Sequence, residues 1–205
     1  MIASAMPHFL FLMFLLLATT ATAASKTVLV FGDSLSAGLG LRPDAAWPAL
    51  LAGRLAEKRP DYSVVNASIS GETSAGGRSR LPAALEQYRP AVVVIALGAN
   101  DGLRGLPIPA MKDNLTTMIG ASRAVGARVL LVGMRLPPNY GSYAREFREA
   151  YRDVATTAKS PWVEFLLEGI ADDARWFQPD MLHPNAQAQP RLLDNVWPQL
   201  LPLLK

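Results

Sequence analysis

Short, continuously apolar runs rich in β-branched residues, separated by longer amphipathic stretches, constrain this chain more than any other feature. Thr27–Phe31 (TVLVF), Tyr62–Asn66 (YSVVN), Val92–Leu97 (VVVIAL), Arg128–Gly133 (RVLLVG) and Trp162–Leu166 (WVEFL) read as strands. The central runs do not alternate polar with apolar, so they need cover on both faces, as parallel strands have between two helical layers. The intervening segments carry apolar residues at helical spacing. These stripes are Trp47, Leu50, Leu51 and Leu55; Leu81, Ala84, Leu85 and Tyr88; and Met111, Leu115, Met118 and Ile119. Two more are Phe147, Ala150, Tyr151 and Val154, and Leu192, Leu193, Val196, Trp197, Leu200 and Leu201. Each is read as core packing. Five strands interleaved with five helices predict an α/β fold, a three-layer α/β/α sandwich with right-handed crossovers.

The N-terminal block has a different character. Phe9–Leu17 (FLFLMFLLL) is nine apolar residues in a row, followed by small residues ending Ala21-Thr22-Ala23-Ala24. That pattern predicts a signal peptide over residues 1–24, cleaved after Ala23 or Ala24, and a single domain over residues 25–205. The run is far shorter than the roughly 20 residues of a membrane-spanning helix, so no stable membrane insertion is expected after cleavage. The departure is an n-region without Lys or Arg. A periplasmic or secreted location follows as an expectation.

Composition then removes whole classes of chemistry. With no Cys, there are no disulfides, no thiolate nucleophile and no Cys-ligated zinc. A net charge of +3 without a basic run gives no support for a nucleic-acid partner. Of two histidines, His8 lies in the expected leader, which leaves His183 as the single imidazole of the mature domain. Sites built on two or three histidines are thereby excluded, and neither a metal nor a cofactor is expected. His183 becomes the first candidate for a general base.

In open α/β sheets, ligands bind beyond the carboxyl ends of the strands. The unusual residues of this chain fall there. Gly32-Asp33-Ser34-Leu35-Ser36 follows the first strand, Ala67-Ser68-Ile69-Ser70-Gly71-Glu72-Thr73 the second, and Gly98-Ala99-Asn100-Asp101-Gly102 the third. Asp180-Met181-Leu182-His183-Pro184 lies past the fifth. Acyl transfer needs a hydroxyl, a base to take its proton, an acid to fix the base, and donors for the oxyanion. Ser34 can be the nucleophile, His183 the base and Asp180 the acid. The backbone N–H groups of Ser34 and Gly71 and the side-chain amide of Asn100 can be the donors. Asp33 and Asp101 are read as braces that bond loop amides, and Ser36, Ser68 and Ser70 as turn or backbone-bonding residues. A phosphate cradle in GDSLSAGLG is excluded by the missing Lys-Ser/Thr of a P-loop.

GDSLSAG, the glycine of SISGET, the asparagine of GAND and the D-x-x-H of DMLHPN resemble, in order and spacing, the four blocks of the SGNH (GDSL-type) hydrolases. NASISGETS, GANDGLRG, RLPPNYG and HPNAQAQP are similar to a bacterial periplasmic subgroup described as acyl-CoA thioesterase, lysophospholipase and arylesterase. The resemblance implies a flavodoxin-like sheet of order 2-1-3-4-5. It also implies a catalytic Ser34, Asp180 and His183 and an oxyanion hole of Ser34, Gly71 and Asn100. The α/β-hydrolase elbow is ruled out, since Ser36 stands where G-x-S-x-G needs its second glycine.

The expected activity is hydrolysis of acyl esters and thioesters, with small-molecule substrates and a monomeric enzyme. A carbohydrate O-acetylesterase of the same fold and a non-catalytic lipid-binding module are the alternatives. An apolar acyl groove is expected from Leu103, Leu106 and Ile108 and from Leu136 and Tyr140. Gly102 and Gly105 suggest that the Leu103–Ile108 loop moves as a lid, and Arg104 or Arg135 could hold a phosphate-bearing leaving group.

Overall fold

The computed structural model describes residues 25–205, so the expected signal peptide over residues 1–24 lies outside the described residues. A five-stranded sheet forms from β1 (Lys26–Gly32), β2 (Tyr62–Asn66), β3 (Val92–Ala96), β4 (Arg128–Val132) and β5 (Trp162–Val163). All neighbours are parallel and the order is β2-β1-β3-β4-β5, as expected. Five long helices connect and close it: α2 (Trp47–Lys58), α3 (Ser74–Tyr88), α5 (Ile108–Ala124), α6 (Gly141–Thr157) and α7 (Gln189–Leu200). Two short ones, α1 (Ser34–Ala37) and α4 (Ala99–Leu103), sit at strand exits where the sequence pattern was silent.

The unbroken apolar strands are explained by their surroundings. Val28, Val30, Val92, Val94, Leu130 and Val132 face one way and pack with Trp47, Leu51 and Leu55 of α2 and Leu192, Leu193 and Val196 of α7. Leu29, Phe31, Val93, Ile95, Val129 and Leu131 face the other way, against Leu81 and Leu85 of α3, Met111 and Leu115 of α5, and Phe147 and Tyr151 of α6. Every residue of β3 is buried. At about 1.5–3 kcal/mol for each fully buried Val, Leu or Ile, this central strand anchors the rim beyond it.

Two expectations are corrected. The fifth strand ends at Val163, not Leu166. As the sheet edge it pairs only with β4, and after two residues Phe165 to Leu167 leave the ladder while staying buried. Leu201, counted in the last stripe, is 42% exposed, because α7 stops at Leu200 and the chain tightens into a 3₁₀ turn over Leu201–Leu203. Among the described residues no helix is long and apolar enough to cross a membrane.

Candidate active site

At the end of β1, Asp33 leaves the ladder and caps α1, its Oδ1 accepting from the Leu35 N–H at 3.0 Å. Gly38, in the left-handed region at φ 75°, closes that helix after four residues. This tight strand-to-helix turn leaves Ser34 at the first helical position, nearly buried but on the wall of a cavity. The Ser68 hydroxyl accepts from the Gly32 N–H at 3.0 Å and ties the β2 exit to the β1 exit. Ser36 is different from expectation: its hydroxyl is buried with no hydrogen-bond partner.

The loop before α7 folds upon Asp180. One carboxylate oxygen accepts from the N–H groups of Leu182 and His183, both at 3.0 Å, and the other lies 2.7 Å from His183 Nδ1. Met181 adopts φ 57° to make that turn. On the far side of the ring, Nε2 stands 2.9 Å from Ser34 Oγ. The N–H bonds of His183 and Leu182, followed by the His183 side chain, pull the Asp180 carboxyl down to about 2. It is therefore ionised wherever esters are assayed and fixes the imidazole proton on Nδ1, turning the Nε2 lone pair to the hydroxyl.

A second carboxylate behaves in the opposite way. Asp33 is 1% exposed, and burial pushes it up to about 6, against the opposing pull of the Leu35 N–H and of nearby His183. The unfolded chain releases this proton near 3.8 and the folded chain only near 6. Between those values the native state binds more protons, so stability falls as pH rises and the whole cost is present above 6. Asp33→Asn keeps the cap and removes the buried charge. It is expected to raise stability at pH 7 by on the order of 3 kcal/mol, with the difference vanishing below about pH 4. Denaturant titrations of both proteins across that range check this.

Opposite the imidazole, two strand exits are joined. Gly98, at φ 112°, lies two residues past β3 and caps the start of α4, where a Cβ would run into the Tyr151 hydroxyl. Asn100 Nδ2 on that helix donates to Glu72 O at 3.0 Å, while Asp33 Oδ2 is 3.5 Å away. Buried Asp101 accepts from the backbone N–H of Ser74 at 2.7 Å and from its hydroxyl at 2.5 Å, bracing the start of α3. Arg104 donates to Gly71 O at 3.0 Å. Gly71 itself turns at φ 80°, a left-handed conformation that favours glycine. Ser34, Asn100 and His183 share the cavity; Gly71 is not on its wall but adjoins the carbonyl that holds Asn100.

The cavity has a volume of about 500 Å³. Leu103 and Leu136 line it as expected, but Leu106, Ile108 and Tyr140 do not. Ile108 begins α5 and packs into the core below. The Tyr140 hydroxyl is turned to Leu103 O at 3.2 Å, and the Leu106 carbonyl accepts from Tyr143 at 2.7 Å. Those two tyrosines pin the segment expected to be a lid against the start of α6. Further lining residues were missed: Met134, Phe165, Leu167, Phe177, Met181 and Leu182. Phe165 and Leu167 are the residues that the early end of β5 releases from the sheet.

The pattern of the GDSL-like Lipase/Acylhydrolase family matches residues 30–190. The chain is 54% identical over 186 residues to the esterase TesA of Pseudomonas aeruginosa, covering 90% of this chain and 92% of that protein. It is 43% identical over 193 residues to thioesterase 1/protease 1/lysophospholipase L1 of Escherichia coli (strain K12), covering 94% and 91%. A crystal structure of TesA superimposes with a TM-score of 0.85 at 54% identity, covering 87% of this chain and 99% of the other.

Proposed function

The chain belongs to the GDSL-like lipase/acylhydrolase family and is a serine hydrolase of ester bonds, and we propose that Ser34, His183 and Asp180 are its catalytic groups and that acyl esters and thioesters are its substrates. The observation that carries this reading is the chain of contacts from Asp180 through His183 to Ser34, 2.7 and 2.9 Å, opening on an apolar cavity. Ser34 Oγ attacks the acyl carbon as His183 Nε2 takes its proton. The oxyanion is held by the N–H groups of Ser34 and Gly71 and by the Asn100 amide, which gives one hydrogen to Glu72 O and turns the other to the oxyanion from its long, 3.5 Å contact with Asp33 Oδ2. The imidazolium, stabilised by Asp180, then protonates the leaving oxygen or sulfur. Water, deprotonated by the same imidazole, releases the acid from the acyl-enzyme.

Cavity size separates the acyl reading from a carbohydrate O-acetylesterase. About 500 Å³ walled by Leu103, Leu136, Phe165, Leu167 and Phe177 is far more apolar space than an acetyl group fills. With p-nitrophenyl esters, kcat/KM is expected to rise by about tenfold or more from acetate to octanoate. Each buried methylene is worth about 0.8 kcal/mol when the chain is fully enclosed. Activity confined to acetate would favour the acetylesterase instead. Lysophospholipids, aryl esters and acyl-CoA are the substrate classes put forward. The reading further takes residues 1–24 as a cleaved signal peptide and residues 25–205 as a periplasmic or secreted monomer.

A further inference from the structure

The two arginines beside the cavity carry their charge differently. Arg135 is engaged by Glu164 at 2.8 Å and Glu168 at 3.3 Å, and it lies over the Phe165 ring, 4.7 Å from the centroid. Arg104 has no carboxylate partner among the described residues; its side chain makes one bond, to Gly71 O. It follows Asn100 by four residues at the end of α4, with its backbone N–H bonded to Asn100 O at 3.2 Å. Residues at that spacing leave the same helix face. Of the five N–H donors of a guanidinium, four stay available. An uncompensated positive charge is thus held one helical turn from Asn100 and against the segment that carries Gly71. Arg104 stands just outside the cavity, next to Leu103 on its wall, whereas the wall itself carries the paired Arg135 and Glu168 together with Asp172.

We propose that Arg104 forms an anion subsite for the leaving group, taking the phosphate oxygens of esters and thioesters whose alcohol or thiol carries a phosphate or phosphodiester. This rests on the serine-hydrolase reading and assigns a specificity-determining residue for the phosphate-bearing substrates put forward above. The acyl chain occupies the apolar cavity away from Arg104, and the leaving group projects over Gly71 to the guanidinium. A monoacyl glycerophosphodiester and an acyl-CoA share this chemistry. Because Arg104 is exposed, the contact is screened by salt.

The test compares matched hexanoyl substrates at concentrations below aggregation: hexanoyl lysophosphatidylglycerol against monohexanoylglycerol, and hexanoyl-CoA against the N-acetylcysteamine thioester. The quantity read is the ratio of kcat/KM for the anionic substrate to that for its neutral partner. In Arg104→Gln this ratio is expected to fall about tenfold, and in Arg104→Lys by less, since the charge remains but the planar fork is lost. In the wild type it should fall with added chloride. A drop in both pairs assigns the general phosphate chemistry, and a drop in one pair assigns that source. A ratio unchanged in Arg104→Gln for both pairs overturns the proposal. That includes the case where neutral and anionic substrates decline equally, which would make Arg104 a positioning residue for Gly71. A salt-insensitive wild-type ratio overturns it as well. Failure of the underlying reading shows separately, as turnover of the neutral substrates that survives removal of Ser34.

Discussion

Ser34→Ala is expected to lower kcat for any ester substrate by about a millionfold, to the residue of catalysis left by oxyanion donors and binding alone. The size follows from the isolation of this hydroxyl. The described domain has one imidazole, and that imidazole lies 2.9 Å from Ser34 Oγ. Among the described residues there is no second imidazole to substitute. Stability should change by only about 1 kcal/mol, because the substitution removes one hydrogen bond and no packing volume. Thermal unfolding and single-turnover kinetics on the same preparation separate the two effects. Because Asp33, not Ser34, caps α1, the helix should survive the change.

His183→Ala should cost nearly as much, and for a linked reason. Without the ring, Ser34 must lose its proton to water and the leaving group must depart unprotonated. The double variant Ser34→Ala/His183→Ala should then be no slower than either single one, since the groups act as a unit. The ring lies at a cavity mouth with its side chain 19% exposed, so added imidazole should partly restore turnover in His183→Ala and do nothing for Ser34→Ala. Removing Asp180 should cost less than removing His183. Its side chain is 45% exposed, and water can replace part of what it offers the imidazolium.

The parts of this site that were legible in the sequence are those where the chemistry permits few residue types. A lone histidine, an aspartate three residues before it and a serine at a strand exit can be matched without coordinates. The sheet was legible because β3 and β4 are buried on both faces and show it as unbroken apolar runs. The lining of the cavity was half legible. Leu103 and Leu136 lie on it, but Leu106 and Tyr140 sit on the same loops with their polar atoms turned to hydrogen bonds. Nothing in local pattern distinguishes those positions. Phe165 and Leu167 were hidden differently: the run after Trp162–Val163 reads as more strand, yet the regular β4 pairing stops at Val163. The bracing of Asn100 by Glu72 O and of Asp101 by Ser74 joins segments 27 and 28 residues apart, a pairing set by topology alone. At Gly76 and Gly77, the side chains of Glu72 and Leu97 occupy the space that a Cβ would take.

The central claim is that one hydroxyl, activated by one imidazole, becomes acylated. Intact mass and peptide mapping after treatment with a fluorophosphonate test it most directly. One equivalent of label on Ser34, formed in step with loss of esterase activity and much more slowly in His183→Ala, is the predicted result. Label on another residue, or full inactivation with Ser34 unmodified, would contradict the account.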